Sequence, residues 1–93
     1  MDNINKQLRL SKEALWQTKK LITSFISERK SIMITKDKNR IIDEFTLAFN
    51  GMIMLMNEDD RNKAIEMVDS YNLLNTMKKS AKRIQKNSSL AFT

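Results

Sequence analysis

Residues 41–56, IIDEFTLAFNGMIMLM, contain the longest uninterrupted apolar run of the chain and predict a helical fold. At about 100° per residue, the apolar side chains of this stretch form one continuous arc about 160° wide. We therefore expect a central helix from about Lys36 to Met56, with Thr35 or Asp37 as its N-cap. The residues of the arc are Ile41, Ile42, Phe45, Ala48, Phe49, Met52, Ile53, Leu55 and Met56.

Helical periodicity also predicts a first helix, from about Ile4 to Lys30. We expect Asp2 or Asn3 to cap its N-terminus. The β-branched residues within 31–35 are expected to end it, and this stretch is where a short extended segment would fit best. Its apolar arc is again about 160° wide, more than one packing neighbour requires. The arc consists of Ile4, Leu8, Leu10, Ala14, Leu15, Leu21, Ile22, Phe25 and Ile26.

The last third of the chain changes its helical phase. Asn57 is a suitable N-cap for a third helix. The acidic residues 58–60 would lie in its first turn, where the helix dipole stabilises negative charge. Two apolar sets, centred about 150° apart, follow: Ala64, Ile65, Met67, Val68 and Tyr71, then Leu73, Leu74, Met77, Ala81 and Ile84. We favour a chain break within residues 69–72, with Ser70 or Asn72 capping a new helix. The alternative is one long helix whose two halves serve different partners.

Composition and length favour a small all-α domain. The 93 residues include no proline and one glycine, whereas a β-rich fold needs turn residues. We therefore predict a three- to four-helix bundle over residues 1–86, followed by a flexible tail over residues 87–93. A domain of this size has a modest core and lacks disulfides, so we expect dimerisation to complete the bundle.

The residue types argue against catalysis. A chain without cysteine or histidine cannot form a zinc finger, a haem ligand or a nucleophilic triad, so we expect no metal, no cofactor and no enzyme activity. Asp43 and Glu44 are adjacent and would point about 100° apart on a helix, and Tyr71 has no partner for a proton relay. Without a signal-peptide or membrane-spanning pattern, we expect a cytoplasmic protein.

Basic side chains are concentrated in the last predicted helix. The formal net charge is +6, and residues 78–93 carry five basic and no acidic side chains. These five are Lys78, Lys79, Lys82, Arg83 and Lys86, and a second group in the first helix comprises Arg9, Lys12, Lys19 and Lys20. Three interpretations stay open: a solvated face, a contact surface for nucleic-acid phosphates, or attraction to an anionic membrane or acidic protein groove.

Four residues outside the apolar arcs indicate a partner or oligomer face. Leu47 and Met54 lie on the otherwise polar side of the central helix, with Gly51 between them to allow close approach of another helix. Trp16 lies about 120° from the apolar centre of the first helix, among basic residues. Three interpretations stay open for its indole: it is covered by another part of the fold or by a second subunit, it anchors a protein partner, or it stacks on bases.

These features together favour a non-enzymatic interaction protein. We expect it to form a homodimer and to bind or inhibit a protein partner, as adaptors, secretion chaperones and small phage or plasmid regulators do. Simple core filling is the first explanation of the seven methionines, and an adaptable methionine-rich binding surface is the second. The alternative is a basic accessory protein that contacts the phosphate backbone of nucleic acid through its C-terminal helix.

Overall fold

The residues that the structure describes form four helices. The computed structural model describes the backbone of residues 2–31 and 35–91 and the side chains of residues 4–31 and 36–86. The helices are α1 (Asp2–Ser31), α2 (Thr35–Ile53), α3 (Glu58–Ser70) and α4 (Leu74–Ala91). The predicted all-α helical bundle is confirmed. In the part of the chain described, no helix is long and apolar enough to cross a membrane.

The first two helices begin close to the predicted positions. Because α2 starts at Thr35, Asp37 lies inside its first turn, and the prediction of Asp37 as an N-cap is wrong. The caps predicted at Asp2, Asn3 and Thr35 concern side chains outside the described ones. Of residues 31–35, where an extended segment would fit best, Ser31 and Thr35 are helical and residues 32–34 lie outside the described residues.

An α1–α2 hairpin forms the centre of the bundle. The rings of Phe25 in α1 and Phe45 in α2 stack with centroids 4.2 Å apart, and Phe49 lies 6.0 Å from Phe45. The third helix packs on α1 and the fourth on α2. The molecule measures 48 × 35 × 17 Å. A helix of the length of α1 is about 45 Å long, so α1 spans the long dimension.

The core draws apolar side chains from all four helices. The predicted arc of α2 is largely buried, but Leu55 is 56% exposed because α2 ends at Ile53 and the chain turns. Ile65 on α3 and Tyr71, which directly follows α3, are exposed, since α3 packs mainly on α1 and buries only a narrow stripe. The buried apolar residues are Ala14, Leu15, Ile22, Phe25, Ile41, Ile42, Phe45, Phe49, Met56, Ala64, Val68, Leu73 and Met77.

A Schellman motif separates α3 from α4 and confirms the predicted break. Asn72 adopts a left-handed conformation with φ of 59°, which asparagine tolerates better than most residues. Its N–H donates to the carbonyl of Asp69 at 2.9 Å, and the N–H of Leu73 donates to the carbonyl of Val68 at 3.0 Å. Asn72 therefore terminates α3, and the prediction that Ser70 or Asn72 caps α4 is wrong.

The change of helical phase follows from a change of neighbour. The third helix buries Ala64 and Val68 as it packs on α1, whereas α4, after Leu73, buries Met77 as it packs on α2. The backbone of α4 stays helical to Ala91, beyond the domain end predicted at residue 86.

Candidate interaction surfaces

An open apolar groove of about 410 Å³ lies where α1 begins and α2 ends. Met54 is 82% exposed and Ile4 64% exposed, and both belong to this one apolar surface, as is typical of interaction sites. We call this groove the apolar end. It is lined only by uncharged residues: Ile4, Gln7, Leu8, Leu10, Met54, Leu55, Met56 and Asn57.

The apolar end exists because α1 extends past α2. The N–H of Asn57 donates to Ser11 Oγ at 2.8 Å, which fixes the end of the α2–α3 connection at the third turn of α1. The preceding residues of α1 continue its apolar arc without a neighbouring helix. Ile4, Leu8 and Leu10, which belong to the predicted apolar arc of the first helix, are therefore exposed and do not join the core. The predicted helix lengths indicate that one end of the first helix extends past the second, since the first helix is the longer of the two.

A buried polar cluster fixes α3 beside the apolar end. Asp60 is fully buried and accepts hydrogen bonds from Ser11 Oγ and Lys12 Nζ, each at 2.7 Å. Asn57 Oδ1 accepts the N–H of Asp60 at 2.8 Å, which confirms the predicted N-cap. Hydrogen bonds from Lys12 and Ser11 hold the pKa of Asp60 below its ordinary value, against the effect of burial. Helix capping alone therefore does not account for Asp60, because its carboxylate joins α3 to α1.

The residues predicted as one partner face occupy different environments. Met54 lines the apolar end, whereas Leu47, Gly51 and Trp16 do not. Leu47 is exposed, and a Cβ added at Gly51 would meet nothing within 4 Å, so no described part of the chain covers this side of α2. Trp16 is 52% exposed, and Lys20 Nζ lies 3.5 Å from the centroid of its ring. The cation–π contact orients the indole at the surface.

The predicted basic groups divide into structural and exposed members. Lys12 pairs with the buried Asp60, and Arg83 Nη2 pairs with Asp43 Oδ1 at 2.7 Å, so both join helices. Ser80 Oγ also donates to Asp43 Oδ1, at 2.6 Å. The remaining predicted members are exposed: Arg9, Lys19, Lys20, Lys78, Lys79, Lys82 and Lys86.

The Asp43 carboxylate is the anchor of α4. Burial raises its pKa, but hydrogen bonds from Arg83 and Ser80 and the charge of Arg83 outweigh this effect and leave the pKa below its ordinary value. The interaction fixes the rotation of α4 on α2. It was not predicted, because Asp43 and Arg83 are 40 residues apart in the sequence and helical periodicity reports only local neighbours.

Replacing Gly51 by alanine tests whether the open side of α2 binds a helix. We expect Gly51→Ala to raise the free energy of unfolding by about 0.5–1 kcal/mol, because alanine favours the helix and its Cβ meets no neighbour. Urea denaturation measures this change, and light scattering on the same sample gives the mass. If a second chain packed tightly against Gly51, the added methyl group would instead reduce the dimer fraction.

No protein-family model, curated protein or solved structure matches the chain. Among the described residues, no group of three or more acidic side chains is placed to hold a metal ion. The polar clusters at Asp60 and Asp43 are built from hydrogen bonds between helices.

Proposed function

We propose that the protein is a non-enzymatic helical interaction protein that self-associates through its apolar end. The observation that supports this proposal is the open groove lined only by uncharged residues. A contiguous apolar surface of this kind favours burial against another protein surface. The exposed first turns of α1 can be buried against a second protein, and the groove beside them can receive the apolar side chains of that protein.

The uncharged lining of the apolar end favours a second copy of this chain as the occupant. Six of its side chains are apolar and two are uncharged polar ones, so two such surfaces can meet without burying a charge. In a two-fold dimer the same patch meets itself. The apolar side chains of the two copies would then be buried against each other.

The first test is the mass in solution and its response to charge in the groove. We expect wild-type protein to have about twice the chain mass of 10.9 kDa. Met54→Asp and Leu8→Asp should each give a monomer, because a carboxylate would be buried in an apolar interface. Analytical ultracentrifugation gives the mass, and circular dichroism reports helix content. Met54 is 82% exposed, so its variant should fold normally.

Leu47→Asp is the matched control. Leu47 is also an exposed leucine, but it does not line the groove, so this variant should remain dimeric. A monomeric wild type would refute self-association and leave the apolar end to a different protein partner. A dimer lost in Leu47→Asp but kept in Met54→Asp would move the interface to the open side of α2.

A further inference from the structure

The fourth helix presents a stripe of four lysines to solvent. At 100° per residue, Lys78, Lys79, Lys82 and Lys86 fall within an arc of about 100°, and all four are exposed. The whole helix from Leu74 to Ala91 contains no acidic residue. The stripe is about 12 Å long, and no carboxylate of α4 offsets its charge.

The lysine stripe is held in a fixed orientation. Met77 and Ser80 lie on the buried side of α4, opposite the lysines. Ser80 and Arg83 both donate to Asp43 on α2, which locks the rotation of the helix. Binding an anion on the lysine side therefore requires no rearrangement of α4.

The beginning of α2 extends this positive surface. Lys36 and Arg40 precede Asp43 by seven and three residues, so they share its face of α2, and both are exposed. The charge of Asp43 on that face is offset by Arg83. We call the combined set the basic surface: Lys36, Arg40, Lys78, Lys79, Lys82 and Lys86.

We propose that the basic surface binds the phosphate backbone of a nucleic-acid duplex with little sequence preference. Along one strand, phosphates follow each other at about 3.4 Å of duplex axis, so the lysine stripe matches three or four of them. Single strands are bound largely by stacking on aromatic rings, and the basic surface contains none. Trp16 and Tyr71, the exposed aromatic residues among the described side chains, lie on α1 and after α3.

A membrane surface is a poorer match for α4. Helices that lie in a bilayer interface insert an apolar face between the lipids. Here the apolar face of α4 is packed into the core through Met77 and the adjoining Leu73. Among its described side chains, α4 has no exposed large apolar residue to insert. The charges of the basic surface therefore favour phosphates presented by a rigid duplex.

Binding of labelled duplexes across a salt series tests this proposal on the full chain. We expect fluorescence anisotropy to detect binding to a 20-base-pair DNA or RNA duplex at about 50 mM salt. The logarithm of the binding constant should fall linearly with the logarithm of salt concentration, with a slope no steeper than about −5 for six contacts. Binding of DNA, RNA or both duplexes supports the proposal, since the phosphate chemistry is shared.

Two charge-reversal variants with equal net charge distinguish a defined surface from general positive charge. Lys82→Glu with Lys86→Glu should weaken binding about thirty-fold or more, because two contacts are lost and two repulsions are added. Lys19→Glu with Lys63→Glu, which changes exposed lysines of α1 and α3, should weaken it about three-fold or less. Circular dichroism checks that both variants keep their helix content.

Several results would overturn the proposal. These are absence of binding at low salt, equal weakening in the two double variants, or binding of vesicles containing phosphatidylserine or of polyglutamate but not of duplexes. Duplex binding can be tested separately from dimerisation, because the apolar end and the basic surface have no residue in common. The monomer expected for Met54→Asp should therefore still bind a short duplex, and its failure to do so would link the two surfaces.

Discussion

Replacing Asp60 by alanine is expected to lower the free energy of unfolding by about 3 kcal/mol, because it leaves the partners of a buried carboxylate without their acceptor. Asp60 is fully buried and joins the start of α3 to Ser11 and Lys12 of α1. Asp59→Ala is the matched control. Asp59 occupies the same turn but is exposed, so its loss should cost about 0.5 kcal/mol through the helix dipole. Urea denaturation of both variants measures the difference.

The same carboxylate predicts sensitivity to acid. The folded-state pKa of Asp60 is lowered by Lys12 and Ser11, so the stability it contributes is present above the pKa of an unfolded aspartate, about 3.9. That contribution is lost as the pH falls through the lower, folded-state pKa. Wild-type protein should therefore lose more stability between pH 7 and pH 3 than Asp60→Ala does. Parallel losses in the two proteins would contradict the assigned role of Asp60.

Local chemistry made much of the fold predictable. The N-cap at Asn57 was identified because its side chain can accept the N–H of Asp60, and the structure contains that bond at 2.8 Å. The break after Ser70 was identified because the apolar face changes direction there. The role of Asn72 was misassigned, since asparagine is suited both to starting a helix and to the left-handed position that ends one.

The candidate surfaces were less predictable, because they depend on where helices meet. The predicted basic groups include Lys12 and Arg83, which pair with Asp60 and Asp43, 48 and 40 residues away in the sequence. The exposure of Leu8 depends on the end of α2 at Ile53, beyond which α1 has no cover. These ion pairs and exposed side chains depend on which helices pack together, and helical periodicity reports only neighbours within one helix.

Replacing Phe45 by alanine is expected to lower the free energy of unfolding by about 3–5 kcal/mol, because it opens a cavity between α1 and α2. Its ring stacks on Phe25 at 4.2 Å and lies 6.0 Å from Phe49. A chain of this length has a total stability of roughly 5–14 kcal/mol, so the variant should lose at least about a fifth of it. Leu47→Ala, two residues away on the exposed side of α2, should change stability by less than about 0.5 kcal/mol.

The Phe45 variant also tests whether the hairpin supports both proposed surfaces. The apolar end is formed where α1 begins and α2 ends, and the basic surface depends on the start of α2 and on α4, which packs against it. At a temperature at which Phe45→Ala is largely unfolded, we expect dimerisation and duplex binding to be lost together, while Leu47→Ala keeps both. Duplex binding that survives unfolding would show that the lysines act as an unstructured basic segment, without the orientation that Asp43 gives them in the folded protein.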